Sequence, residues 1–325
     1  MSRDRLSTAL DQGLFVLPDG PVAVLRPSVD ADLSALPRDR LTVVTTDRVA
    51  YDAFAARGIA VSDELPEVPL AIVTVPRSKA LARALVAEAL AKAGTVVVDG
   101  QKTNGVDSLW RDCRKAMGDL PGLTQGHGRL FVLTGEPPEG WASPGPTEDA
   151  DGWVTQPGVF SEGRPDAGSL ALADALPVKL PKRMADLGAG WGVLSRAVLD
   201  RDGVEALDLV EAERLALDCA RRNVTDPRAR FHWADALTWT SRTPIDGIVM
   251  NPPFHQGRTA DPDLGRAFIG AAAALLGREG QLWLVANRQL PYEEVLNDAF
   301  RTVAPLGGDG RFKILHAARP RKQRA

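Results

Sequence analysis

The tetrapeptide Asn251-Pro252-Pro253-Phe254 has the residue types needed to hold an exocyclic amine. The Asn251 amide oxygen and the Pro252 carbonyl are neighbouring acceptors, able to take both protons of a planar NH2 group. Phe254 offers a ring that can stack on the ring bearing that amine. The tetrapeptide ends a largely apolar run, residues 245–250, that reads as a buried strand. Prolines donate nothing to a ladder, so the strand must stop there. Its polar groups are then presented at a strand's C-terminal edge, where open α/β sheets bind ligands. Taken alone, the tetrapeptide is equally a strand break with Phe254 in the core. The residues upstream decide between the two readings.

Upstream, Met184-Ala185-Asp186-Leu187 leads into Gly188-Ala189-Gly190-Trp191-Gly192, and a helical pattern follows over 194–199. Glycines let a backbone turn tightly and approach a ligand with no Cβ in the way. The helix behind them offers N–H groups at its start. The next strand, 206–210, ends in Glu211, 23 residues after Gly188. That is about the spacing at which an acid reaches a ribose diol. A third strand, 230–233, ends in Ala234-Asp235-Ala236, where the Asp235 carboxylate can accept from an adenine amino group. A glycine turn by itself could equally hold NAD. Here the spacing is G-x-G-x-G and not G-x-G-x-x-G, and the acidic strand ends are followed by Asn-Pro-Pro-Phe.

With this ordered set the chain resembles the class I S-adenosylmethionine-dependent methyltransferases. Within that class it is similar to the bacterial small-subunit (16S) ribosomal RNA guanine-N2 methyltransferases, which carry two tandem methyltransferase-like domains. The matching segments are Gly158-Val159-Phe160-Ser161, Asp166-Ala167-Gly168-Ser169, Asp186 to Ser195, Asn251 to Gly257, Val285 to Tyr292 and Gly310-Arg311-Phe312-Lys313. They span most of 155–315, and the first half of the chain resembles the family much less. The resemblance implies cofactor contacts from Asp186, Gly188, Gly190, Glu211, Asp235, Asn251 and Ser169. It implies catalysis by Asn251, Pro252 and Phe254, a ribosomal RNA or ribosomal-subunit partner, and a monomer. It also implies two tandem Rossmann-like domains, the first degenerate, with one antiparallel edge strand in the second at 311–317.

Length and composition agree with two α/β domains, each with helices on both faces of a mostly parallel sheet. A chain of 325 residues that is 44% hydrophobic can bury two cores. Pro, Gly and acidic residues crowd 135–152 and set the boundary, giving 1–145 and 146–325. Cys113 and Cys219 fall in separate helical stretches and read as free thiols of a reducing cytosol. The four histidines show no metal-ligand spacing, so no metal is expected. No signal pattern opens the chain, and no apolar run is long enough to cross a bilayer. The net charge of −3 does not advertise nucleic acid. From Arg311 onward, however, six basic residues and no acid form either a solvated tail or a phosphate contact.

The first half repeats the order of elements of the second, as a duplication would. The apolar strand 70–75 ends in Pro76, the helical run 80–93 follows, and Gly128-Arg129-Leu130 echoes Gly310-Arg311-Phe312. Pro76-Arg77-Ser78 stands where Asn-Pro-Pro-Phe would be, and residues 1–70 hold no G-x-G-x-G. That half is expected to support folding or dock RNA. Rival targets for the same amine pocket are a large-subunit rRNA guanine, adenine N6 and a protein glutamine amide. A non-enzymatic RNA-binding assembly protein is a further alternative.

Overall fold

The computed structural model describes residues 5–253, 255–256, 259–260 and 262–321. The chain forms two compact units, Met1–Gly145 and Pro146–Ala325.

The first unit contains helices α1 (Arg5–Asp11), α2 (Arg48–Ala56), α3 (Lys79–Lys92) and α4 (Val106–Met117). Its strands are β1 (Val22–Leu25), β2 (Leu41–Val44), β3 (Ala60–Ser62), β4 (Val68–Thr74), β5 (Ala93–Gln101), β6 (Gly122–Gln125) and β7 (Gly128–Leu133). They form one sheet in the order β3-β2-β1-β4-β5-β7-β6. The first five run parallel, and β7 and β6 are antiparallel. β1 shows why the strands form: all four residues are buried, the continuous apolar run of a strand covered on both faces. Val22 and Val24 pack with α1 and α2, while Ala23 and Leu25 pack with α3 and α4.

The second unit begins with a two-residue ladder, β8 (Thr147–Glu148) on β9 (Val154–Thr155). Helix α5 (Ala167–Ala175) follows, then β10 (Arg183–Leu187), α6 (Val193–Leu199), β11 (Ala206–Glu211), α7 (Arg214–Asn223), β12 (Ala229–Trp233) and β13 (Ile245–Met250). A short antiparallel pair, β14 (His255–Gln256) and β15 (Thr259–Ala260), precedes α8 (Pro262–Leu275). The unit closes with β16 (Leu276–Asn287), α9 (Tyr292–Ala299), β17 (Phe300–Gly308) and β18 (Phe312–Pro320). The main sheet runs β12-β11-β10-β13-β16-β18-β17, position for position the order of the first unit. Helices α5, α6 and α7 cover one face and α8 and α9 the other. The units are thus two class I methyltransferase-type sheets in tandem.

The first copy is degenerate where the chemistry would sit. No α-helix joins β1 to β2, whereas α6 and its glycine loop join β10 to β11. The first residue after β4 is Val75, 2% exposed, whereas the first after β13 is the part-buried Asn251.

The expectation of a single antiparallel edge strand at 311–317 needs correction. β18 is antiparallel, but it lies between β16 and β17, and β17 is the edge. Phe312, Ile314, Leu315 and Ala317 bury β18. β17 carries Pro305, Gly307 and Gly308 and is largely exposed, a composition an edge tolerates and a sequence pattern hides. Residues 312–320 are therefore not a frayed tail, although Arg311, Arg319 and Arg321 are exposed. Lys313 is 8% exposed and paired with Glu293, Arg319 donates to Thr302, and Arg321 donates to the Phe300 carbonyl. Lys322 and Arg324 lie outside the described residues.

Candidate active site

The glycine loop after β10 uses three left-handed residues, Gly188 (φ 74°), Gly190 (φ 56°) and Gly192 (φ 96°), each for a different reason. The Gly188 and Ala189 N–H groups both donate to the Val210 carbonyl, at 2.9 and 3.1 Å, which folds the loop back onto β11. A Cβ on Gly190 would meet no atom within 4 Å, because that side of the loop is open. A Cβ on Gly192 would lie 2.8 Å from the Val224 Cγ2, so this glycine lets α6 and α7 close together. Gly190 N–H donates to the Glu211 Oε2 at 2.7 Å, and Glu213 N–H donates to Oε1 at 2.7 Å. The acid at the end of β11 is thereby fixed against the loop.

Alternation along β10 turns Asp186 to the same face as Met184, beneath α6. Asp186 is fully buried, and its Oδ2 accepts the Ser195 hydroxyl at 2.7 Å. Its Oδ1 has no partner among the described residues. Burial pushes its pKa up to about 7; the Ser195 hydroxyl opposes this and the Glu211 charge adds to it. Asp235, beyond β12, accepts the Leu237 N–H at 2.9 Å in a tight turn.

Asn251 follows β13. Its amide nitrogen donates to Asp166 Oδ2 and to Ser169 Oγ, each at 3.0 Å. Asp166 is the N-cap of α5 and accepts the Ser169 N–H at 3.0 Å. Pro252 is buried behind Asn251 and Pro253 is exposed. Phe254 lies outside the described residues, as does Gly257.

Phe160, Asp166, Ser169, Gly188, Gly190 and Asn251 line one open cleft. Asp186 lies below the loop that forms its floor, and Glu211 is joined to it through Gly190. Asp235 stands at the next strand end and does not line it. Three further groups shape this site, none of them singled out by the sequence as a site residue. Phe160 is 59% exposed inside this cleft, although Trp191 Nε1 pins its carbonyl at 2.7 Å. Trp191, between the second and third loop glycines, is buried edge-on to Trp153. Asn223 donates to the Trp191 and Val154 carbonyls and accepts the Val154 N–H, tying α7 to the glycine loop and to β9.

The site offers a bare backbone face at Gly190, a fixed carboxylate at Glu211 and, beneath the loop, an orphaned buried carboxylate oxygen on Asp186. These groups fit a small cofactor that carries hydroxyl and cationic groups. Among the described residues, no cluster of three or more His, Cys, Asp or Glu could hold a metal, and no helix is long and apolar enough to cross a membrane.

Residues 152–316 match the family model described as "Methyltransferase small domain". A protein of Hahella chejuensis named ribosomal RNA small subunit methyltransferase C is 31% identical over 253 residues, 72% of each chain. A ribosomal RNA large subunit methyltransferase G of Alcanivorax borkumensis is 33% identical over 169 residues, 50% of this chain and 43% of that one. Among solved structures, the T. thermophilus 16S rRNA N2 methyltransferase, in complex with AdoMet and guanosine, superposes with a TM-score of 0.80 at 25% identity. That match covers 98% of this chain and 92% of that one. The two sheets, the glycine loop and these likenesses lead to one conclusion: the chain belongs to the methyltransferase small domain family.

Proposed function

We propose that this protein transfers the methyl group of S-adenosylmethionine to the exocyclic N2 amine of a guanine in small-subunit ribosomal RNA. The observation that carries the reading is the state of Asn251. Both donors of its amide nitrogen are taken by Asp166 and Ser169, so Oδ1 is the atom offered to an amine. The names of the relatives, and the AdoMet and guanosine in the T. thermophilus complex, support the same assignment.

Gly188 and Gly190 admit the cofactor close to the backbone, Glu211 receives its ribose hydroxyls, and Asp235 its adenine amino group. Asp186 supports the loop from below, and Ser169 borders both partners. When bound, the cofactor supplies an electrophilic methyl group on a sulfonium. Asn251 Oδ1 and the Pro252 carbonyl accept the two amine protons, draw the nitrogen towards tetrahedral and aim its lone pair. Orientation of this kind converts an encounter into a near-intramolecular step. The N–C bond would form as the sulfonium S–C bond breaks and leaves a neutral thioether; the cationic nitrogen would then release its proton to water, so no general base is needed beforehand. A base held inside a duplex cannot reach the cleft, so the guanine is unpaired or flipped out. Phe254 stacks on it, a contact worth about 1–3 kcal/mol. The first unit has no glycine loop and supports folding or docks RNA.

Asn251→Ala should lower the single-turnover rate roughly 100- to 1,000-fold, by analogy with the loss of one transition-state hydrogen bond. Cofactor affinity should barely change. A near wild-type rate would remove the amine clamp. Mapping of modified nucleosides in ribosomal RNA from a deletion strain should show the loss of one N2-methylguanosine from the small subunit. A loss from the large subunit would assign the chain to the other group of relatives.

A further inference from the structure

We infer that Asp166 is a positioning residue: through the Asn251 amide it fixes which atom of Asn251 meets the target amine. This rests on the amine-clamp reading above.

A side-chain amide can present either its oxygen or its nitrogen, and only the oxygen can accept from an NH2 group. A carboxylate accepts and cannot donate, so Asp166 Oδ2 at 3.0 Å holds the nitrogen end of Asn251 towards itself. A flipped amide would set Oδ1 against the carboxylate and offer N–H to an N–H. Ser169 Oγ takes the second donor at 3.0 Å, which closes the remaining freedom of the NH2 group. The contact joins residues 85 apart in the chain. It is also a built contact. Asp166 Oδ2 is fixed at the head of α5 by the Ser169 N–H. A Cβ on Gly168 would lie 3.0 Å from that same oxygen and 3.2 Å from the Phe312 ring, so glycine is what lets Asp166 sit there. The segments 166–169 and 310–313 therefore serve one purpose: β18 supplies the Phe312 ring that backs the turn on which Asp166 stands.

The charge of Asp166 has a second effect. Hydrogen bonding to a carboxylate polarises the amide and makes Oδ1 a stronger acceptor as the amine becomes cationic. Asp166 thus acts on the rate and not on the binding of the cofactor.

The test uses the full chain. Asp166→Ser keeps a good helix cap but removes the carboxylate. Its kcat should fall about 10- to 100-fold, the scale on which supporting groups act, with cofactor affinity within about twofold of wild type. Asp166→Asn keeps an acceptor for both partners and should recover most of that loss. In wild type the Asn251 side-chain NH2 should exchange with solvent slowly by NMR, and in Asp166→Ser quickly. In an Asn251→Ala background, Asp166→Ser should change the rate no further. A wild-type kcat for Asp166→Ser, unchanged NH2 exchange, or a further rate loss in the Asn251→Ala background would each overturn the assignment. A wild-type rate for Asn251→Ala alone would instead sink the clamp itself, whatever Asp166 does.

Discussion

At the scale of single residues, Asp186 gives the molecule a pH dependence. Its carboxyl is pushed up to about 7 from a usual 3.8, mainly by burial. The folded state therefore binds a proton that the unfolded state has already released between about pH 4 and 7. Stability from this group is present at the acidic end and is lost as pH rises through that window. The thermal midpoint should fall between about pH 4 and 7, and Asp186→Asn should flatten that part of the curve in calorimetry. An unchanged slope in the variant would mean that other groups set it. Asn223 makes a different kind of statement. It satisfies three backbone groups at 2.7 to 2.9 Å while 9% exposed. Asn223→Ala would strand those groups, and urea unfolding should show a loss of about 2–4 kcal/mol.

At the scale of elements, the glycine loop separates binding from folding. Gly190 faces open space and Gly192 faces Val224, yet both have positive φ. Each pays the same left-handed cost on acquiring a Cβ, about 1–2 kcal/mol. Gly190→Ala should therefore weaken cofactor binding more than it lowers the melting temperature. Gly192→Ala should do the reverse, because its methyl group meets the α6–α7 contact. Parallel calorimetry and thermal melts would decide it, and matched losses in both variants would contradict the division. β13 shows how an element ends in a function. Ile248, Val249 and Met250 are buried, and the two prolines stop the ladder where Asn251 must emerge.

At the scale of the whole molecule, the same strand order occurs twice, but one copy has lost its site. Val75 fills the position after β4, and a Cβ on Gly100 would lie 2.6 Å from Val75 Cβ, so side chains close off that end of the first sheet. One cofactor per chain should bind, and calorimetric titration of the full chain should give a stoichiometry near one; two sites would contradict the loss. Lys79 is paired with Asp112 at 2.9 Å, whereas Arg77 is exposed. If the first unit docks RNA, Arg77→Ala should weaken structured RNA and leave methyl transfer to free guanosine unchanged.

The sequence by itself determined the parts of this protein whose conformation is set locally. Alternating glycines permit the left-handed backbone found at Gly188, Gly190 and Gly192, and a Pro-Pro pair must end a strand at Asn251. Runs of buried β-branched residues next to amphipathic segments give parallel sheets covered by helices, and the order of those runs shows the repeat. The tertiary structure alone decided what depends on groups distant in the chain. Asp166 meets Asn251 across 85 residues, Asn223 meets Val154 across 69, and Phe312 backs Gly168. None has a local signature, since an Asp before a helix reads only as a cap. The edge position of β17 was hidden likewise, because strand order is fixed by how β18 packs and not by the propensity of either strand.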